Sequence, residues 1–182
     1  MSQKVFGMKH DKHHGEPNQP KAEHFNKKEL VDKLIPLIEN TAMRFNLIPI
    51  EIDFSKENHR WFLRIFIYSP GRHVTLEDCE NMSRSLGDFL DELIPVKYHL
   101  EISSPGIERK LKSDKEYLIF KDKDINIKLK SAIDDTFEKQ FVAKILDFDE
   151  NRGLKIFRYK DKKEFVIKKD NIIYAKLYSN EI

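Results

Sequence analysis

The sequence predicts an α+β protein. Its first part is an α/β unit ordered helix, strand, strand, helix, strand, with both helices on one face of a small sheet, and its second part is a small β-barrel. Three observations predict this arrangement. Two segments with helical periodicity flank a pair of alternating segments, and a third alternating segment follows the second helix. Beyond Gly106 the apolar pattern changes to five short alternating runs separated by polar turns. The boundaries read as 1–26 for a disordered tail, 27–106 for the α/β unit and 107–182 for the barrel.

Residues 1–26 contain His10, His13, His14 and His24, two prolines and few apolar side chains, a composition that buries too little surface to order itself. His10, His13 and His14 have metal-ligand chemistry, but no Cys or carboxylate framework surrounds them, and the solvated reading is preferred. Asn26 with Glu29 forms a capping signature, and Leu30, Leu34, Leu37, Ile38 and Phe45 recur at helical spacing. Pro36 removes a backbone donor inside this helix and is expected to kink it or delay its start. Ile48, Ile50, Ile52 and Phe54 alternate with polar neighbours as a strand does, and Ser55 to Arg60 reads as the connecting loop. From Trp61 to Tyr68 both parities are largely apolar, the mark of a central strand.

Ser69-Pro70-Gly71 is a turn, and Thr75 with Asp78 starts a second helix whose apolar face is Cys79, Met82, Leu86, Phe89, Leu90 and Leu93. Val96, Tyr98, Leu100 and Ile102 then alternate as the third strand. At its exit, Ser103-Ser104-Pro105-Gly106 predicts a rigid corner in which Pro105 fixes its φ and Gly106 permits the positive φ that a type II turn would need. The five later runs are Ile125 to Leu129, Phe141 to Ile145, Leu154 to Ile156, Phe165 to Ile167 and Ile172 to Leu177.

Composition limits the function. Of 182 residues, 40% are hydrophobic and 35% charged, and no apolar run approaches the ~20 residues needed to span a bilayer, so no membrane role is expected. The start of the chain lacks the apolar segment of a secretory signal, which predicts a cytoplasmic protein, and the single cysteine, Cys79, excludes an internal disulfide. The net charge of +2 carries no argument by itself. Its distribution says more: residues 27–106 have 10 Lys/Arg against 13 Asp/Glu and residues 107–182 have 19 against 15, an asymmetry that suits two modules with different partners and, more often, just two solvated surfaces.

No nucleotide-binding, zinc or nucleophile-elbow motif is present, and neither a cofactor, a metal nor a small-molecule substrate is expected. Glu51, Asp53, His99 and Glu101 are the residues on which a hydrolase would have to be built. A binding reading takes the sheet face opposite the helices, where Phe62, Arg64, Phe66 and Tyr68 point outward if Trp61 and Leu63 point inward. The corner adds Ser103, Ser104, Pro105, Gly106, Glu108 and Arg109; Arg109 suits a bidentate contact to phosphate or carboxylate, or an ion pair locking the two modules. Lys160, Lys162, Lys163, Lys168 and Lys169 suit a phosphate backbone.

Two stretches resemble the ribosome maturation factor RimP family: Val74-Thr75-Leu76-Glu77-Asp78-Cys79 with Ser83 and Leu86, and Leu100-Glu101-Ile102-Ser103-Ser104-Pro105-Gly106-Ile107-Glu108-Arg109. The resemblance runs from about Leu30 to Leu177 and implies an SH3-like barrel for the second domain. It also implies a non-catalytic factor that binds the immature small (30S) ribosomal subunit, with the 16S rRNA and ribosomal protein S12 as partners. Candidate contacts are Arg64, Ser103, Ser104, Pro105, Gly106, Glu108, Arg109, Lys162 and Lys163, and a monomer is expected. A general RNA-binding translation regulator is the alternative. Lys110 stands where the family usually has proline, and the usual glycines are missing after Phe120 and before Ala143.

Overall fold

The computed structural model describes residues 25–106, 108–135 and 137–179, so the four tail histidines other than as sequence lie outside the described residues. The chain divides between Pro105 and Gly106 into two compact units.

In the first unit, helix α1 spans Lys27–Arg44, strand β1 Ile48–Glu57, β2 Arg60–Tyr68, helix α2 Leu76–Leu93 and β3 Tyr98–Ser103. Asn26 caps α1, its side chain accepting from the Lys28 and Glu29 amides, and Pro36 is accommodated inside the helix. The Thr75 hydroxyl and Asp78 carboxylate close a reciprocal capping box on α2, as the sequence predicts. Asp78 also accepts both terminal nitrogens of Arg72, and these bonds hold its carboxyl down at about 2.

The strands lie in the order β1-β2-β3, with β1 antiparallel and β3 parallel to β2, which makes Trp61 to Tyr68 the central strand that its two apolar faces predict. One buried cluster joins Leu34 and Ile38 of α1, Met82, Leu86 and Leu90 of α2, and Leu63 and Ile65 of β2, so both helices cover the same face of the sheet. Cys79 lies in this cluster, where burial pushes its thiol up and leaves it inert.

The segment expected to be a loop from Ser55 to Arg60 is mostly strand. Glu57 pairs with Arg60, and only Asn58 and His59 turn, both with positive φ (48° and 65°). Two consecutive positive φ values describe the type I′ geometry whose twist matches paired strands. Asn-His lacks the glycine that usually advertises it.

In the second unit, helix α3 is Asp114–Ile119, and strands β4 to β8 are Asp124–Leu129, Gln140–Asp149, Gly153–Arg158, Lys163–Ile167 and Ile172–Leu177. All five runs read from the sequence are strands, and they form one antiparallel sheet in the order β7-β6-β5-β4-β8. Among the described residues β7 and β8 do not pair with one another, so the pairings describe a sheet with two ends. Helix α3 was not legible, because six residues give too few turns for a periodic pattern.

Among the described residues Arg158, 1% exposed, is the largest fully buried side chain. It donates to Asp161 at 2.7 Å and also to Asp134, with Phe165 and Phe141 ring centroids 4.5 and 5.3 Å from its guanidinium carbon. A β6 position that alternation assigns to the core is thereby filled by a cation whose charge is balanced within the unit.

Candidate partner-binding face

The face of the first sheet away from the helices is built by strand register. Three cross-strand rows run Ser55–Phe62–His99, Asp53–Arg64–Glu101 and Glu51–Phe66–Ser103. Period-two alternation fixes the choice: Leu63, Ile65 and Ile67 are fully buried, so their neighbours in sequence face outward.

Arg64 sits at the centre of this face. Its Nε donates to Glu101 Oε2 at 2.8 Å, and its two terminal nitrogens donate to the Glu57 carboxylate at 2.6 and 2.9 Å. Its guanidinium lies 4.8 Å from the centroid of the Phe62 ring, which in turn stacks on His99 at 5.2 Å. The bonds to Glu57 and Glu101 raise the Arg64 pKa further above its ordinary value, and the bond from Arg64 lowers that of Glu57. Asp53 accepts from the Ser55 hydroxyl at 2.6 Å.

Glu51, Asp53, Glu57 and Glu101 therefore share a surface with Arg64, which two of them engage, and with Arg60, which lies opposite Glu57. A surface of this sign attracts cations and repels phosphate, and its aromatic pair offers flat apolar area beside the charges. The residues of a hydrolase are present but are arranged otherwise. Glu101 is bound by Arg64, and His99 rests on Phe62. Among the described residues, no group of three His, Cys, Asp or Glu side chains gathers as metal ligands do.

The corner residues divide between the units. Ser103 ends β3 opposite Phe66, and Ser104 and Pro105 follow it half-buried. Gly106 and Glu108 are exposed. Positive φ is found at Gly71 and Gly153 and not at Gly106, and a Cβ built on Gly106 would meet nothing within 4 Å. The positive φ that Gly106 permits is not adopted, and its carbonyl instead accepts from the Arg109 amide at 3.0 Å. Arg109 is buried and forks onto Glu116 of α3, with Nε and one terminal nitrogen each 3.1 Å from a carboxylate oxygen. The pair is internal to the second unit. Lys162 is exposed with φ 54° in the turn before β7, and Lys163 opens β7 opposite Arg158.

Sequence reasoning placed Arg64, Phe62 and Phe66 on the outer face but did not find Glu57 as the partner of Arg64. Extending the alternation of β1 three residues past Phe54 would have placed Glu57 there.

Residues 37–108 match the family model of the RimP N-terminal domain. This part of the chain is a RimP N-terminal domain by that match. The match begins inside α1 and continues to Glu108, so it contains the whole outer face and the Ser103-Ser104-Pro105-Gly106 segment. The resemblance carried by the stretches around Thr75 and Ser103 is borne out for this part of the chain. The domain match supports a ribosome maturation factor family. No helix among the described residues is long and apolar enough to cross a membrane.

Proposed function

We propose that this protein is a non-catalytic assembly factor of the small (30S) ribosomal subunit, and that the outer face of its first sheet receives a basic segment of a ribosomal protein, S12 being the one the family resemblance implies. The supporting observation is the cluster of Glu51, Asp53, Glu57 and Glu101 about Arg64 on a RimP N-terminal domain. A Lys- or Arg-rich strand or loop laid along this face meets carboxylates on the two outer strands, β1 and β3, and the Phe62–His99 pair beside them.

The mechanism is positional. The second unit, read as an SH3-like barrel, holds 16S rRNA through its basic turns, Lys162 and Lys163 among them, while the first presents the ribosomal protein. Binding both partners reduces the translational and rotational freedom lost when they finally join. The factor leaves when contacts within the mature particle exceed its own, a shift that needs no chemical step. Such a protein acts in the cytoplasm and as a monomer.

A second reading, a general RNA-binding translation regulator, draws on the Phe62–His99 stack, but phosphate is disfavoured beside four carboxylates. Gradient sedimentation separates the two. Cells lacking the protein are expected to accumulate precursor rRNA in free small-subunit particles, and the protein is expected in those fractions. A normal subunit profile, or the protein found on polysomes, contradicts the assembly reading.

A further inference from the structure

The outer face of the second sheet carries a feature that the first does not. Lys128 of β4 lies directly opposite Tyr174 of β8, and Asn126 lies opposite Lys176. The segment Arg109 to Leu111 adds to the edge of β8: Leu111 donates to the Ala175 carbonyl at 2.8 Å, Leu177 donates to the Arg109 carbonyl at 2.9 Å, and Lys110 bridges Lys176. Residues 109 and 111 bracket the bridge, and Lys110 comes out beside Tyr174. The ammonium groups of Lys176 and Lys110 lie 5.6 and 5.9 Å from the Tyr174 ring centroid.

Three lysines thus surround one tyrosine. None of the three has a carboxylate partner among the described residues, whereas Lys155, Lys160 and Lys169 are each paired. The nearest polar neighbours in the rows are Asn126 and Gln140, which are neutral and bond to each other. Like charges directly across a bridge destabilise a sheet. The ring relieves part of that repulsion, and a polyanion would relieve the rest.

From this we infer that Tyr174, Lys110, Lys128 and Lys176 form a platform for single-stranded RNA, with a base stacked on the Tyr174 ring and the three ammonium groups on the flanking phosphates. Binding is an exchange: the ammonium groups over the ring move to phosphate oxygens, and the base takes their place on the π face. Both contacts are already gathered in the free protein, so little side-chain freedom remains to be lost. The aromatic ring favours nucleic acid over an acidic protein segment, because any base stacks on it while a carboxylate does not. Duplex RNA keeps its bases stacked inside and gains only the charge contacts. The inference deepens the assembly reading, which gives the second unit RNA as its partner, by placing a contact on the β4–β8 face; its failure in oligonucleotide binding is distinguishable from failure of the assembly reading, which sedimentation of ribosomal particles tests.

The test is fluorescence anisotropy of a short fluorescein-labelled oligoadenylate titrated with the full chain over a range of salt. Three phosphate contacts predict a log–log salt slope of about 2, at ~0.7 per contact. Tyr174→Leu is expected to weaken binding by about 5- to 100-fold with the slope kept, and Tyr174→Phe to retain wild-type affinity. Lys110→Gln, Lys128→Gln and Lys176→Gln are each expected to reduce the slope by about 0.7, and Lys33→Gln on α1 to leave it unchanged. Circular dichroism melting establishes that each variant is folded; should Tyr174→Leu fail to fold, Tyr174→Phe and the lysine variants still decide. Unchanged affinity in folded Tyr174→Leu, equal binding of duplex RNA, a slope unmoved by the three lysine variants, or tighter binding of oligoglutamate than of oligoadenylate overturns the inference.

Discussion

Arg109→Ala is expected to destabilise the second unit by about 3–5 kcal/mol, because it strands a carboxylate in the interior. The side chains of Arg109 and Glu116 are 8% and 3% exposed, and the two parallel bonds between them are each 3.1 Å. With the guanidinium gone, Glu116 must remain charged without its partner or take up a proton, and either is unfavourable. Arg109→Lys keeps the charge but not the planar fork, and falls between wild type and Arg109→Ala. The double variant Arg109→Met with Glu116→Leu removes both charges together and is expected to recover most of the loss. Urea denaturation followed by circular dichroism measures all three. A loss below about 1 kcal/mol for Arg109→Ala, or a double variant no better than the single one, contradicts this account of the pair.

Gly153→Ala is expected to destabilise by a comparable amount through the backbone alone. Gly153 has φ +103°, and a Cβ built there would lie 2.2 Å from the Ile167 carbonyl oxygen and 3.0 Å from its carbon. Both atoms belong to the main chain of Ile167, the last residue of β7, which pairs with Leu154 of β6, so no side chain can swing aside. Conformational strain and displacement of the strand each contribute on the order of 1–3 kcal/mol. Gly87 gives the opposite sign. It lies within α2 and has nothing within 4 Å of its built Cβ, so Gly87→Ala is expected to stabilise by about 1 kcal/mol through helix propensity. Thermal melting of the two variants should therefore move in opposite directions. A wild-type melt for Gly153→Ala is the result that contradicts the strain.

The order of elements was legible because each long segment repeats one period. Capping residues marked both long helices, and five short apolar alternations marked the five strands of the second unit. What failed was local and of one kind. Ser-Pro-Gly occurs twice, at residues 69–71 and 104–106, yet only Gly71 has positive φ (79°). A tripeptide permits a turn type without requiring it, and the chain on either side decides. The Asn58-His59 turn hid for the converse reason, since it adopts positive φ without glycine.

The candidate surfaces were half legible. Parity placed Phe62, Arg64 and Phe66 outward, but whether Arg64 is available as a lone cation depended on pairings that bring Glu57 and Glu101 to it. Arg109, read as a ligand for phosphate or carboxylate, found its carboxylate seven residues along the chain in a helix too short to predict. Lys110 and Tyr174 are separated by more than sixty positions in sequence and meet only because residues 109–111 extend the edge of β8. A turn rich in lysine announces itself in sequence, whereas a patch assembled across three strands does not.

The central claim is that the carboxylates on the outer face of the first sheet hold a basic ribosomal protein. Its most direct test is titration of the full chain with purified S12, comparing wild type with Asp53→Lys and Glu57→Lys. The account predicts at least about tenfold weaker binding for each charge reversal, together with a shallower salt dependence, since like charges would then face the partner. Wild-type affinity in both folded variants would contradict it.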